Sequence, residues 1–251
     1  MCRQVSSSSH YTASVKGLTR RLPATTVVWA IIAINVAVYA ATELAGGSTN
    51  RRVLLEFGAK VNPLIAQGEY WRLFTCAFLH VGLTHLLFNM FALMSFGRLA
   101  EMIFGHARFL AIYIVGALSG SLFSYLFSSS VSAGASGAIF GVAGALSMFY
   151  VRNRGVQAVA GQGELSGMVV MLAINGVFGF IQPNIDNWAH LGGLIGGAFI
   201  GAVLSPRIAW VVDEEGNRVG LRRELPPMVN WAYVPTALVV IGIAATRFRG
   251  A

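Results

Sequence analysis

Residues 186–204 read DNWAHLGGLIGGAFIGAVL: a polar opening, one histidine, then an uncharged run of glycine, alanine and aliphatic side chains. From Trp188 to Leu204 this run reaches the lower limit of about 17 residues for a helix crossing hydrocarbon. On a helix turning about 100° per residue, with His190 at zero, Gly197 falls at roughly −20°, Gly201 at roughly +20° and Gly193 at roughly −60°. The face bearing His190 is therefore lined by glycine, which lets a second helix backbone approach closely. A histidine inside a span is costly, so its presence asks for a reason.

The rest of the chain fits the same environment. Of its 251 residues, 55% are hydrophobic and only 11% charged, against roughly 25% charged in soluble domains. The charges cluster between apolar segments. Seven such segments are expected to be helical spans: Thr26–Leu44, Leu83–Leu99, Phe109–Phe127, Ala135–Val151, Leu165–Ile181, Trp188–Leu204 and Tyr233–Ala245. With the N-terminus inside, inner segments hold 12 of the 18 lysines and arginines and outer segments hold 6. That bias favours a cytoplasmic N-terminus. The net charge of +8 is explained by basic loops, and no basic stripe interleaved with aromatics points to nucleic acid. Cys2 and Cys76 are too few for a disulfide framework, and no CxxC metal pattern occurs.

This predicts an all-α, polytopic membrane protein. Its parts are a cytoplasmic tail (1–25), a six-helix core (26–204) with a long outer loop (45–81), a cytoplasmic linker (205–230), and a seventh transmembrane helix with the C-terminus (231–251). The tail is serine-rich, basic and free of acid, features shared by transit peptides and by ordinary tails ahead of a signal anchor. The outer loop carries Tyr70 and Trp71 and is expected to lie partly in the membrane interface. The segment Ser205–Asn230 is polar and acid–base mixed and reads as a cytoplasmic linker.

Three polar groups stand out within the spans: His85 with Asn89, Ser136 between Gly134 and Gly137, and His190. His85 and Asn89 are four residues apart and share one helical face. The topology sets all four polar residues at similar depth on the outer side. Gly137, Gly141 and Gly144 give the fourth span a small face matching that of the sixth. A serine hydroxyl needs an adjacent base to become a nucleophile, and neutral histidine serves at physiological pH. The Ser136 N–H, the Asn89 amide and the His85 ring are candidate donors to an oxyanion. No carboxylate is placed to orient His190, so a Ser–His dyad is expected. Taken singly, Ser136 among such glycines is more often a helix-packing feature than a nucleophile. A zinc site at His80, His85 and His190 lacks an HExxH motif and suitable spacing, so no metal is expected. His10 and His106 are expected to be ordinary surface residues.

These residues resemble the rhomboid pattern. Gly68–Thr75 (GEYWRLFT) resembles its outer-loop signature and leads into His80–Asn89 (HVGLTHLLFN), with Gly97, Glu101 and Gly105 following. Gly134-Ala135-Ser136-Gly137 matches GxSG, and His190, Gly193 and Gly197 match HxxGxxxG. The resemblance covers about Thr26–Leu204. It implies Ser136 as nucleophile, His190 as general base, and His85 and Asn89 in the oxyanion hole. Trp71 and Arg72 would belong to the membrane-embedded outer loop, and Glu101 would be a structural residue buttressing that region. Where some members carry a tyrosine after the nucleophile this chain has Phe140, whose ring can still pack beneath His190. A span added after the core resembles the secretase-like arrangement and points to a bacterial plasma membrane.

The expected activity is cofactor-free hydrolysis of peptide bonds in or near transmembrane helices of other bilayer proteins. Such substrates need helix-weakening residues near the cut, because an intact helix hides its carbonyls. The alternative is a catalytically silent relative that binds transmembrane helices.

Overall fold

The computed structural model describes residues 25–154, Gly167, Val170 and 185–247. Helix α1 spans Thr26–Leu44, and three short helices follow in the outer loop: α2 (Arg51–Glu56), α3 (Asn62–Ala66) and α4 (Arg72–Thr75). Helix α5 runs Leu83–Phe104, α6 His106–Phe127, α7 Ser136–Arg152 and α8 Asn187–Leu204. Strands β1 (Arg207–Val212) and β2 (Arg218–Glu224) precede α9 (Tyr233–Arg247). Among the described residues five helical stretches are long and apolar enough to cross a membrane, and α7 is a shorter apolar helix. Of the fifth expected span, Leu165–Ile181, only Gly167 and Val170 are described; the rest lies outside the described residues, as does most of the N-terminal tail.

Burial orders the helices. Of the apolar stretch of α6, 72% is buried, against 22% for α1 and 6% for the stretch Met228–Arg247, so α6 is central and the terminal helices are peripheral. Lipid is as apolar as leucine, so helices associate in it through close packing. Glycines supply that closeness here. A Cβ on Gly193 would lie 2.0 Å from the Gly137 carbonyl oxygen, and one on Gly197 would lie 1.9 Å from that of Gly141. On α6, a Cβ at Gly116 would meet the Gly141 Cα at 2.9 Å, and one at Gly120 the Ala189 oxygen at 2.7 Å. Helices α6, α7 and α8 thus touch backbone to backbone, along the glycine face the sequence predicts for α8.

One expectation needs correction. Glu101 does not buttress the outer loop. It is fully buried at the opposite end, where its two oxygens accept from Val27 N and Val28 N, both at 2.9 Å. It thereby satisfies N–H groups at the start of α1, which Thr25 leaves uncapped. His106, whose side chain is about half exposed, sets its Nδ1 2.5 Å from Glu101 Oε1. Within the linker, β1 and β2 form an antiparallel hairpin in which Trp210 pairs with Leu221 and Ile208 with Arg223. Its turn is closed by Asp213, which accepts from Asn217 N at 2.7 Å, and by Gly216 at φ +86°.

The outer loop holds the segment that precedes Ser136. Lys60 is fully buried and donates from Nζ to the carbonyls of Ser128 (2.8 Å) and Ser130 (3.0 Å). Its backbone exchanges two hydrogen bonds with Ser132. The Asn62 amide reaches the carbonyls of Tyr125 and Ser128, both at 3.0 Å. Burial lowers the Lys60 ammonium to about 8, with the Asp186 carboxylate pulling the other way. The unfolded chain therefore binds this proton more tightly than the folded one, and stability rises with pH between the two values. In detergent, the wild type should gain thermal stability relative to Lys60→Met as pH rises from about 8 towards 10.5. Parallel pH dependences of the two melting temperatures would contradict this.

Candidate active site

Ser136 is the first residue of α7, where a helix leaves backbone N–H groups without intrahelical partners. It follows Gly134, whose φ of +142° favours glycine and whose N–H donates to the Cys76 carbonyl at 2.9 Å. A Cβ at Gly134 would lie 2.9 Å from His85 Nε2 and 3.8 Å from Ser136 Oγ. The missing side chain is what lets the histidine ring and the serine hydroxyl flank one small space.

The His85 ring is oriented by its own turn. Val81 N–H approaches Nδ1 at 3.4 Å, which makes Nδ1 the acceptor and places the proton on Nε2, towards Ser136. His80, fully buried, meets His85 edge-on at 5.2 Å between ring centres. Asn89 lies one turn further along α5 and donates to the His85 carbonyl at 3.0 Å, leaving its second N–H free of that bond.

His190, 8% exposed, is stacked on Phe140 with ring centres 4.2 Å apart and planes at 6°. The packing expected of Phe140 is present without a hydroxyl. Nδ1 of His190 is buried with no hydrogen-bond partner among the described residues. Asp186 is otherwise engaged: one oxygen caps α8 through Ala189 N at 3.0 Å, and the other accepts from the Ser124 hydroxyl. The seam between α7 and α8 brings Ser136 and His190 to the same end of the bundle, but no hydrogen bond joins them in this structure. Such contacts are often long in a resting site and tighten with substrate.

Arg72 organises the outer loop. It is 6% exposed, pairs through Nε with Glu69 at 2.7 Å, and reaches the carbonyls of Leu55 (2.7 Å) and Ala59 (3.1 Å). Its guanidinium also lies 4.6 Å from the centre of the Trp71 ring, an arrangement that lysine cannot reproduce. Trp71 and Phe74 remain about half exposed, as an interfacial segment requires. Lys60 and Asn62 lie outside the residues singled out from the sequence. The signal was available, since a lysine in an otherwise apolar stretch asks for buried acceptors. Among the described residues no group of His, Cys, Asp and Glu is arranged to hold a metal ion.

The fold is that of a polytopic membrane protein whose glycine-lined helices carry Ser136 and His190 at the same end of the bundle. The Rhomboid domain family model matches residues 67–207, and the chain belongs to the rhomboid family. It is 47% identical over 181 residues to Rhomboid protease GluP of Bacillus subtilis (strain 168), covering 71% of this chain and 35% of that protein. It is 40% identical over 136 residues to Putative rhomboid protease YdcA of the same organism, covering 53% and 66%. RHOMBOID-like protein 5 of Arabidopsis thaliana is 40% identical over 154 residues, covering 60% and 49%. The matched stretch thus spans about a third to two thirds of these relatives' length.

Proposed function

We propose that the chain is an intramembrane serine endopeptidase whose nucleophile is Ser136 and whose general base is His190. The observation that carries this reading is the glycine seam, which sets the start of α7 beside the start of α8 where no bulky residue would fit. Nδ1 of His190 is enclosed, so Nε2 is the nitrogen able to exchange a proton. It takes the proton of Ser136 Oγ as that oxygen attacks the scissile carbonyl of a substrate helix. The tetrahedral intermediate carries its negative charge on the former carbonyl oxygen, facing His85 Nε2–H, the Ser136 N–H and the Asn89 amide. Collapse breaks the C–N bond, and the departing amine takes the proton from His190. Water then attacks the acyl-serine with His190 again as base, releasing a carboxylate and restoring Ser136.

The phenyl ring beneath His190 fixes the imidazole plane in the part an orienting carboxylate plays in a triad. Substrates are transmembrane proteins with helix-weakening glycine or proline near the cut, because a hydrogen-bonded helix shields the bond to be broken. The charge bias supports a cytoplasmic N-terminus, and with it a site near the outer face of a plasma membrane.

Reconstituted in liposomes with a transmembrane model substrate, the parent should cleave while Ser136→Ala and His190→Ala do not. Failure of the parent on several helix-weakened substrates, with binding intact, would favour a silent helix-binding protein. Asn89→Ala should lower turnover by roughly 10²–10³ if its amide stabilises the oxyanion. Near-normal turnover would remove Asn89 from that role.

A further inference from the structure

At the end of the bundle opposite Ser136, two guanidinium groups converge on the last turn of α5. Arg108, from the first turn of α6, reaches the Phe104 carbonyl at 3.4 Å, and Arg223, from β2, donates to the Ile103 carbonyl at 2.6 Å. Partial burial and then the charge of Arg108 lower the Arg223 guanidinium from its ordinary value, so the two cations sense one another. Among the described residues neither is in a salt bridge: Glu101 is taken by α1 and His106, and Glu224 pairs with Arg222. Each guanidinium carries five N–H donors, so donors remain after the single carbonyl bond.

Beside the pair opens a groove of about 210 Å³ lined by Met102, Ile103, Phe149, Pro206, Ile208 and Arg223. Its walls are almost wholly apolar. Trp231, an aromatic suited to headgroup depth, has its ring centre 5.8 Å from the Arg108 guanidinium. The ends of α5, α7 and α8 and the start of α6 meet here, so the groove lies at a membrane boundary.

From this pairing of uncompensated cations with an apolar groove, we propose that Arg108 and Arg223 bind the phosphate of an anionic phospholipid whose acyl chain enters the groove. Arginine suits the role because its planar fork matches phosphate oxygens. The lipid neutralises the two cations and ties the hairpin to α5 and α6. On the orientation proposed above it belongs to the inner leaflet. The site is independent of Ser136 chemistry.

The full chain, purified in neutral detergent, is offered phosphatidylglycerol and phosphatidylcholine of identical acyl chains, and retained lipid is read by native mass spectrometry. Selective retention of one phosphatidylglycerol is expected, falling about tenfold or more in Arg108→Gln/Arg223→Gln, while Arg218→Gln, which alters the cation stacked on Trp210, leaves it unchanged. Should the double variant fail to fold, Arg108→Gln is read alone. Equal retention of both lipids, undiminished retention in a folded variant, or equal thermal protection by inorganic phosphate would overturn the proposal.

Discussion

The contact of α7 with α8 is made by main chain rather than side chains, and the site inherits its geometry from that contact. Within lipid no hydrophobic force pulls helices together, so only closeness of approach distinguishes one pairing from another. Gly193 and Gly197 provide it on one helix, Gly137 and Gly141 on the other, and Gly116 and Gly120 extend it to α6. One methyl group at Gly116, Gly120, Gly141, Gly193 or Gly197 would collide with a neighbouring backbone, which cannot rotate away as a side chain can. Ser136 begins one of these helices and His190 lies in the first turn of the other. Their placement at the same end of the bundle follows from the seam.

A second constraint keeps the serine in register. The chain entering α7 is an irregular segment whose carbonyls need donors wherever water is excluded. Lys60 and Asn62 supply them from the outer loop, which Arg72 holds in turn by bonds to two carbonyls and Glu69. The loop therefore acts as a splint between the bundle and its surface. Its exposed Trp71 and Phe74 leave an apolar outer side of the kind that settles at headgroup depth.

The sequence made some of this legible and concealed the rest for identifiable reasons. Span positions follow from hydropathy, and α1 begins and ends where the apolar run does. The glycine face of α8 follows from helical geometry alone, since its residues lie within three turns of one another. The pairing of Glu101 with the start of α1 links residues 73 and 74 positions apart, and no local pattern announces it. Lys60 counted only as one outer charge because its acceptors are backbone carbonyls 68 and 70 residues away. The hairpin at Arg207–Glu224 escaped notice because arginines interrupt the alternation of β2, although Gly216 marks the turn. The engagement of Asp186 by Ser124 could not be read, because the two lie 62 positions apart.

The central claim is that backbone closeness between α7 and α8, rather than the mere presence of serine and histidine, makes Ser136 nucleophilic. It is tested most directly by measuring the rate of Ser136 labelling by a fluorophosphonate probe in the parent and in Gly197→Ala, with folding of both confirmed by thermal melting. The substitution leaves both reacting residues in place and sets a methyl group where the Gly141 carbonyl oxygen lies 1.9 Å away. The account predicts that a folded variant loses most of its labelling. Labelling at the parental rate would show that the seam does not govern the site.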